Sequence, residues 1–560
     1  MFYKTLLILT IAIIGLSNGA RILAVVPTPS YSHQVAFHSL WKELSLRGHQ
    51  VTLVTTDLIK DTSLVNLTQI DISDQYEMGR KEVENVIKRN NMFEMLHLMT
   101  TFAEFHLSHT KIQKLIKNED EHFDIVMVEF LTPFVLAYGA RFKCPIILVS
   151  SIASYPWIDT IMGNPRHPII YPEATFNFND ELTLFDRVNV VLSHIGMDLF
   201  YKFYTVPTQQ EMIYKYFGED YPLIDDMARN ISIVLANSDT VFHKIKPTLP
   251  SIISFGGNLY RPTPPPLSKE VKNALDAAKH GFIYFSLGSN AKSKNLAKET
   301  RQIILETFAD LPYTVLWKFE EDALENKPKN VIISKWLPQL SVLRHPNIKL
   351  FITQGGVQSM EEGIYSHIPM IGMPVYTDQH VNAKKIVSKG FGLSIDLNAL
   401  NKEKFKESIL EVISNPRYKK RVTELAELAQ DQPTDSLEKA VWWTDVKIFK
   451  KITMFYKTLL ILIISIIGLS NGARILAVVP TPSYSHQVAF HSLWKELSLR
   501  GHQVTLVTTD LIKDASLVNL TQIDISDSYE KGREEAQNMI KRNSMFDMLH
   551  LMTTFAAAGQ

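Results

Sequence analysis

The sequence has almost no cysteine, no excess of either charge and no metal-binding motif. Cys144 is the only cysteine among 560 residues, so no disulfide can form within the chain and each core must be held by burial alone. The 58 lysines and arginines balance the 58 aspartates and glutamates, and without a net field nucleic acid is not an expected partner. No HExxH sequence and no cluster of cysteines and histidines occurs, so no metal is expected. Partners must therefore be recognised at local sites.

The length and the apolar content indicate several globular domains. Hydrophobic residues make up 46% of the chain and aromatic residues 10%, which is enough to fill more than one core. A chain of 560 residues is also too long for one ordinary domain. We therefore expect a multidomain globular protein.

The amino terminus has the pattern of a secretory signal peptide, which we assign to residues 1–20. Lys4 precedes an apolar run over residues 6–16, and small residues follow up to Ala20, near which cleavage is expected. Three Asn-X-Ser/Thr triplets are consistent with a lumenal chain, although such triplets also arise by chance. They begin at Asn66, Asn230 and Asn519.

The amino-terminal sequence occurs twice. "GLSNGARILAVVPTPSYSHQ" at residues 15–34 returns at 468–487, and the likeness continues to Phe102 in the first copy and Phe555 in the second. After a junction at 446–453, the second copy comprises a signal-like segment at 454–473 and a truncated repeat at 474–560. We interpret it as the start of a closely related protein joined to the end of the first, and a genuine domain with its own function is the alternative. Because its sheet would stop after the first strands, we expect poor packing.

The first part of the chain alternates between strand and helix patterns. "RILAVVPTP" and "QVTLVTT" are typical of buried strands, and "HQVAFHSLWKELSLRGH" between them has the apolar spacing of a helix. This order predicts a βαβ unit, which "FDIVMVEF" (123–130) and "CPIILVS" (144–150) extend. Residues 75–117 and 176–216 are predicted helical and are rich in Met, Phe, Tyr and His. Ordinary core is the favoured interpretation of these segments, and the lining of an apolar pocket is the alternative.

A proline-rich stretch divides this part in two. "NLYRPTPPPLSKE" (258–270) is too dense in proline for a helix or a central strand, so we expect a linker between domains at 21–257 and 271–445. Strand and helix patterns then alternate again. The second set of predicted elements comprises strands at 281–289, 313–319, 330–338, 348–354 and 369–375, and a helix near 295–309. The sequence therefore predicts an α/β protein with two Rossmann-like domains.

Two glycines directly follow one of these strands. In "FITQGGVQSMEE" (351–362), Gly355 and Gly356 would allow a tight turn, and the helix starting near Val357 would direct free N–H groups and its positive dipole end at a ligand. A diphosphate is the expected ligand at such a helix start. "SLGS" (286–289), at the end of another strand, would supply a second set of donors. A Gly-Gly pair alone is a weak signal, since most such pairs simply end a strand.

At this point the sequence resembles a known family. "FITQGGVQSMEEGIYSHIPMIGMPVYTDQHVNAKKIVSKGFG" (351–392) is similar to the signature of the UDP-glycosyltransferases, and of the arthropod branch in particular, where Gln354 stands in place of a histidine. "WLPQ" (336–339), "SLGS" and "SHQVAFHSLWKELSLRGHQVT" (32–52) match in order and spacing. The resemblance implies a GT-B fold, in which two Rossmann-like domains face each other across a cleft. It also implies inverting transfer of a hexose, with glucose favoured, from a UDP-sugar donor to a small lipophilic acceptor, without a metal or other cofactor.

The resemblance assigns roles to the motif residues. Trp336 would stack on the uracil, Gln339 would bond the uracil edge or the ribose, and Glu362 would accept from the ribose hydroxyls. Asp378 and Gln379 would hold the sugar hydroxyls. The expected donors to the diphosphate, beside the turn at Gly355, are Ser289, Gln354, Gly356, Gln358 and Ser359.

The base would come from the first domain. His33 follows the first predicted strand, and an imidazole can take a proton from an acceptor hydroxyl as that hydroxyl attacks the anomeric carbon. A histidine that caps the next helix is the alternative. By the family's spacing the acid that orients the imidazole is Glu129, where many members carry the shorter Asp, and Asp124 is the second candidate.

The sequence departs from the family pattern near its end, and two other functions compete. Family members usually end in a membrane-spanning helix, whereas the apolar core at 459–469 is short for a span of about 20 residues. We expect the endoplasmic reticulum lumen or its membrane, with secretion as the outcome if no anchor forms. The rivals are a sugar-nucleotide isomerase on the same fold and a non-catalytic carrier of hydrophobic ligands. His33, Asp378 and Gln379 argue against the carrier, and the Met- and Phe-rich segments before residue 217 argue against the isomerase.

Overall fold

The structure is a computed structural model, and its described residues form two units. They comprise residues 19–78, 92–172, 182–239, 241–243, 245–256, 264–289, 291–375, 377–446, 472–479 and 484–527. The first unit is Met1–Phe449 and the second is Lys450–Gln560. Both predicted signal segments lie almost entirely outside the described residues.

The first domain of the first unit contains a seven-stranded parallel sheet in the order β3-β2-β1-β4-β5-β6-β7. Its central strands are buried along nearly their whole length, because helices cover both faces of a parallel sheet. The strands are β1 Arg21–Val25, β2 Gln50–Thr55, β3 Leu67–Asp71, β4 Ile125–Glu129, β5 Ile146–Ser150, β6 Ile231–Ala236 and β7 Ile252–Ser254.

Ten α-helices among the described residues accompany this sheet. The predicted helix after β1 is two helices, since the chain breaks at Ala36 and Phe37. They are α1 Tyr31–Val35, α2 His38–Leu46, α3 Gln75–Met78, α4 Met92–Ser108, α5 Thr110–Lys117, α6 Ala137–Phe142, α7 Pro156–Met162, α8 Leu184–Phe200, α9 Val206–Phe217 and α10 Ile224–Ala228. A 3-10 helix at Pro133–Leu136 precedes α6, and a π-helix at Tyr201–Thr205 joins α8 to α9.

The second domain repeats the plan with a six-stranded parallel sheet in the order β10-β9-β8-β11-β12-β13. The strands are β8 Phe282–Ser286, β9 Thr314–Lys318, β10 Val331–Ser334, β11 Ile348–Thr353, β12 Met370–Gly372 and β13 Gly392–Ser394. The helices are α11 Lys269–Asp276, α12 Lys298–Ala309, α13 Gln339–Leu343, α14 Val357–Tyr365, α15 Thr377–Ser388, α16 Lys402–Ser414 and α17 Pro416–Gln430. Short 3-10 helices occur at Ser293–Asn295 and Leu397–Ala399. Two parallel sheets with alternating helices confirm the two Rossmann-like domains.

A final helical segment over residues 436–446 contacts the first domain. Within it, Glu438 pairs with Arg47 and Asp445 accepts from the His49 ring at 3.0 Å. Lys439 Nζ also donates to the backbone carbonyl of Ser254 at 2.6 Å. The predicted domain limit at residue 445 is therefore corrected, since the chain returns to the first domain before that point. The predicted linker is described only from residue 264, and no helix begins there before α11.

The second unit contains a three-stranded parallel sheet, β14 Arg474–Val478, β15 Gln503–Thr508 and β16 Leu520–Asp524, with helix α18 Tyr484–Leu499. Its register repeats that of the first sheet, since Arg474 pairs with Gln503 as Arg21 pairs with Gln50. Three strands leave much of the apolar surface uncovered, and Leu476 is 69% exposed. The expectation of an incomplete domain stays a prediction, because residues 528–560 lie outside the described residues.

Within the described ranges, none of the helices combines the length and the apolar character that crossing a bilayer requires.

Candidate active site

The loop after β1 is fixed by a buried glutamine. Gln34, in α1, donates from Nε2 to the carbonyls of Val26 and Thr28 at 2.9 and 2.8 Å, and Thr55 on β2 donates to its Oε1 at 2.7 Å. The loop therefore holds a single shape at the carboxyl edge of the sheet, where ligands bind in open α/β folds. His33 precedes Gln34 and takes its position from these bonds.

His33 and Glu129 form a hydrogen-bonded pair. Glu129 ends β4, is fully buried, and its Oε1 lies 2.6 Å from Nδ1 of His33. Thr28 donates to Glu129 Oε2 at 2.9 Å, and Ser151 donates to Oε1 at 2.8 Å while its oxygen lies 3.0 Å from His33 Nδ1. The carboxylate of Glu129 accepts a hydrogen bond from the Nδ1–H group of the neutral ring. Its other nitrogen, Nε2, therefore carries no proton and is left as an acceptor. The alternative that His33 caps a helix is wrong, since Ser30 and Phe37 occupy the cap positions of α1 and α2.

The surroundings of His33 favour its charged form. Burial by itself lowers the pKa of His33, but the carboxylates of Glu129 and Asp378 raise it, and the result is a pKa above the ordinary value of 6.5. An imidazole in this setting accepts a proton readily, because the resulting charge lies beside two carboxylates.

Asp124, the second candidate for the acid, lies at the wrong end of the sheet. Its Oδ2 accepts from the backbone N–H of Arg21 at 2.9 Å, and its own N–H donates to the Arg21 carbonyl, where β1 and β4 begin. Glu129 stands at the other end of β4, about 16 Å away at the usual rise per strand residue. The second candidate, Asp124, is therefore wrong, and Glu129, the first choice, is the carboxylate that lies against His33.

The two glycines after β11 have different conformations. Gly355 has φ +85°, in the left-handed region, and an added Cβ would lie 3.2 Å from the Gln379 carbonyl oxygen. Gly356 has φ −61° and ψ 143° and is the N-cap of α14. Gly355 therefore makes the turn, and Gly356 begins the nine-residue helix whose first N–H groups face the cleft.

The loop after β8 approaches this helix closely. Gly288 has φ +80°, and an added Cβ would lie 2.0 Å from Nε2 of Gln354. Lys318 on β9 donates from Nζ to the Gly288 carbonyl at 2.8 Å and to Glu320 at 2.9 Å. Lys318 thus ties the loop that carries Ser289 to the neighbouring strand.

Trp336 and Gln339 follow β10, the edge strand of the second domain's sheet. Trp336 is 53% exposed and meets the Tyr31 ring of the first domain edge to face, with 4.8 Å between ring centroids. Gln339 donates from Nε2 to Ser359 at 3.0 Å and to Glu362 at 2.8 Å. A flat ring beside three polar side chains is suited to a base with its ribose.

Asp378 and Gln379 lie in the first turn of α15. The Gln379 side chain is fixed, since its Oε1 accepts from the Val375 N–H at 2.9 Å. Asn382, one turn later, donates to Asp378 Oδ2 at 3.4 Å. Asp378 is exposed to the cleft and lies near enough to His33 to raise its pKa.

One cavity of about 1040 Å³ between the two domains collects nearly all of the predicted residues. Two of them, Glu129 and Gly355, lie behind its wall and support residues that line it. The predicted residues that line the cavity are His33, Ser289, Trp336, Gln339, Gln354, Gly356, Gln358, Ser359, Glu362, Asp378 and Gln379. The start of α14 and the imidazole of His33 therefore share one space.

The domains are joined across the cleft by side-chain amides. Gln358 donates from Nε2 to the Ser151 carbonyl at 3.2 Å, and Asn237 donates to the same carbonyl and to Glu361 Oε2, each at 3.2 Å. Gln358 was expected to donate to a diphosphate, and here its amide contacts the other domain. Glu361 is fully buried, and its Oε1 has no hydrogen-bond partner within the described part of the chain.

The wall on the first-domain side combines aromatic and aliphatic side chains with polar and charged ones such as Asp159, Arg166 and Lys246. It includes Tyr31, Ile152, Ala153, Tyr155, Pro156, Pro168, Tyr171 and Phe242. Among the described residues of the Met- and Phe-rich helical segments, His194 alone lines the cavity, and Ala103, Leu107 and Ile213 belong to the domain core. The favoured interpretation of those segments as core is confirmed for these residues.

Four contributors were missed at the sequence level: Thr28, Ser151, Asn237 and Lys318. Ser151 could have been predicted from the sequence. It directly follows the apolar strand β5, which pairs with β4, the strand that ends in Glu129. Lys318 lies within a strand and has no motif around it, so only the fold reveals its contact.

Comparisons with known proteins agree with this geometry. A family model described as "UDP-glucoronosyl and UDP-glucosyl transferase" matches residues 21–451. UDP-glucosyltransferase 2 of Dactylopius coccus is 31% identical over 453 residues, which are 79% of this chain and 87% of the relative. The ecdysteroid UDP-glucosyltransferase of Autographa californica nuclear polyhedrosis virus is 31% identical over 455 residues, 76% of this chain and 88% of the relative. Homo sapiens UDP-glucuronosyltransferase 2B15 is 26% identical, covering 77% and 84%.

Solved structures show the same architecture. A UDP-glucosyltransferase from Polygonum tinctorium capable of glucosylating indoxyl matches with a TM-score of 0.51 at 14% identity, covering 77% of this chain and 99% of that one. The calicheamicin glycosyltransferase CalG4 matches with a TM-score of 0.50 at 16% identity, covering 77% and 98%. At such identities the likeness shows the fold alone, and it confirms the predicted GT-B architecture.

Proposed function

Since the chain belongs to the UDP-glucoronosyl and UDP-glucosyl transferase family and is a UDP-glycosyltransferase, we propose that it moves glucose from UDP-glucose to a hydroxyl of a small lipophilic acceptor. In this proposal the anomeric configuration is inverted and His33 is the general base. The observation that carries it is the shared cavity, which holds the Glu129-paired imidazole of His33 on one side and the start of α14 on the other.

The chemical step follows from these positions. Nε2 of His33 accepts the acceptor's hydroxyl proton as the oxygen forms a bond to the anomeric carbon, and the bond from that carbon to the diphosphate oxygen breaks. The pair of electrons leaves with UDP, whose charge is stabilised by the N–H groups and dipole of α14. Glu129 stabilises the imidazolium that forms. Attack from the side opposite the leaving group inverts the anomeric carbon.

The choice of donor and acceptor rests on separate features. The two relatives at 31% identity carry glucosyltransferase names, which favours glucose, while the human relative's name refers to glucuronate. The aromatic and proline side chains in the wall beside His33 favour an acceptor with an apolar ring or chain. Asp378 and Gln379 would hold the sugar hydroxyls, and no metal is part of the proposed step.

The proposal is tested with the full chain, a panel of UDP-sugars and a phenolic acceptor. We expect UDP release to require the acceptor, to be fastest with UDP-glucose, and to give a β-glucoside from the α-linked donor by NMR. His33→Ala should lower kcat by about 10²–10⁴-fold, whereas His280→Ala, at an exposed histidine in the second domain, should not. UDP release without acceptor, retained configuration, or full activity of His33→Ala would contradict the proposal. A rearranged UDP-sugar would indicate the isomerase instead, and tight acceptor binding without turnover would indicate the carrier.

We further propose that the chain enters the endoplasmic reticulum lumen by its signal at residues 1–20. Asn230 is exposed at the start of β6, and its amide donates to the Cys144 carbonyl at 2.8 Å. Asn230→Gln should remove one glycan, seen as a mass shift lost on endoglycosidase treatment. A chain with no glycan at any triplet after expression in insect cells would contradict a lumenal location.

A further inference from the structure

Helix α8 and the π-helix after it present a continuous apolar surface to solvent. Seven large side chains between residues 184 and 203 are exposed by 48% to 80%. We call this surface the α8 stripe; it consists of Leu184, Phe185, Val188, Leu192, Ile195, Leu199 and Phe203.

The stripe is narrow and lies opposite the domain core. At about 100° per residue, its members within α8 fall inside an arc of about 100°. The other side of the helix is already occupied, since Val190 is buried and Met197 and Phe200 pack against the core of the first domain. The exposed side therefore has no partner within the described residues.

The size of the stripe corresponds to one side of a protein interface. With about 200 Å² for a bare Phe side chain and less for the five aliphatic ones, the stripe exposes on the order of 700 Å². The largest apolar patch on a typical monomer covers roughly 300–600 Å², whereas each partner in a standard interface buries about 800 Å². An exposed patch of this extent costs solubility unless something covers it.

The spacing of six of the seven stripe members reads the same in both directions, whereas Phe185 falls opposite Lys202. When the segment is reversed about its centre, Leu184 coincides with Phe203, Val188 with Leu199 and Leu192 with Ile195. A two-fold axis imposes this symmetry on an interface, because each contact between two positions must occur twice. Two antiparallel copies of the segment would thus place apolar against apolar at these six positions, with Phe185 beside Lys202 of the other copy.

From this we propose that two copies of the chain associate through the α8 stripe as an antiparallel, two-fold symmetric helix pair. The charges around the stripe are balanced, with Arg187 and Lys202 against Asp186 and Asp198. An interfacial membrane helix typically carries many lysines and arginines on its polar face. A bilayer is therefore the less suited occupant. The inference does not depend on the identity of the sugar donor or acceptor.

Cysteine cross-linking tests the geometry directly. Val188 and Leu199 are eleven residues apart, about 16 Å along one helix, so a Val188→Cys, Leu199→Cys double variant cannot close a disulfide within one chain. The antiparallel pair brings these positions together between chains, and we expect a covalent dimer from the double variant under mild oxidation. Each single variant should remain uncross-linked, and the native Cys144 is buried. Cross-linking of the single variants would indicate parallel pairing and overturn the proposal.

Molar mass by light scattering provides the second test. The full chain should have twice its monomer mass of 63.9 kDa, and Leu192→Glu with Ile195→Glu should halve the observed mass. The matched control is Leu428→Glu, which places the same charge on an exposed leucine of α17 and should leave the dimer intact. Circular dichroism and melting temperature establish that each variant is folded. A monomeric native chain, or a stripe variant whose only change is lost flotation with phosphatidylcholine vesicles, would overturn the proposal.

Discussion

Glu361 connects the pH of the solution to the stability of the two-domain unit. Its carboxyl group is fully buried in α14, and Asn237 of the other domain donates to one of its oxygens at 3.2 Å. Burial, with help from the neighbouring carboxylates of Asp239 and Glu362, raises the pKa of Glu361 to about 8, although the hydrogen bond from Asn237 and the charge of Lys385 oppose the shift. Near neutral pH the folded chain therefore holds Glu361 mainly in its protonated form.

The sign of the pH effect follows from this. The unfolded chain releases the Glu361 proton near pH 4.5, whereas the folded chain retains it up to about pH 8. Because the folded state binds more protons between these values, stability falls as the pH rises from 4.5 to 8. At about 1.4 kcal/mol per pKa unit, the loss between pH 5 and pH 7.5 is about 3 kcal/mol. Glu361→Gln keeps the acceptor for Asn237 but cannot ionise, so it removes this loss.

Thermal and denaturant unfolding at several pH values check the prediction. We expect Glu361→Gln to match the native chain near pH 5 and to melt a few degrees higher at pH 7.5. The control is Glu427→Gln, at an exposed glutamate of α17, which should leave the pH dependence unchanged. If Glu361→Gln shows the same pH slope as the native chain, the reasoning is refuted.

Three further predictions concern the site. Glu129→Gln removes the carboxylate that raises the pKa of His33, so the acidic limb of kcat/KM should move to lower pH while kcat falls, as a pH–rate profile will show. Ser151→Ala should lower kcat about 10-fold or more with little change in the KM for UDP-glucose, because a hydrogen bond to a carboxylate contributes about 1.5–3 kcal/mol. Ser151→Thr keeps the hydroxyl and should restore kcat, whereas a rise in KM as large as the fall in kcat would contradict an orienting role. Trp336→Ala should raise the KM for UDP-glucose about 10-fold or more, since stacking of a base on an aromatic ring is worth about 1–3 kcal/mol, and calorimetric titration with UDP tests this.

The strands that the sequence predicted are those with a continuous apolar run, such as β1, β4 and β11. The strands that it missed are of another kind. β3 has the sequence LTQID at the edge of the sheet and is nowhere fully buried, so it leaves no apolar signal. β7 has only three residues, too few for any periodicity to be recognised. The break between α1 and α2 was missed because Ala36 and Phe37 are themselves buried apolar residues and continue the helical pattern.

The residues of the candidate site likewise divide into those that the sequence predicted and those that it missed. Residues within the motif after β11 were predicted because their order in the sequence follows their order along one sheet edge. Asp124 was kept as the second candidate behind Glu129 because both carboxylates flank the same strand, and only the end of the strand at which His33 lies decides between them. Contacts such as that of Lys318 with Gly288 join residues of neighbouring strands, and no local pattern contains them.

The contact of residues 436–446 with the first domain means that the polypeptide passes between the two domains twice. The first passage follows Ser254, and the second returns to it through Lys439. The second passage is held to the first domain by Glu438, Lys439 and Asp445, so the halves are connected at two places and not only through the proline-rich passage. A chain cut once in its proline-rich passage would consequently travel through a sizing column as a single particle.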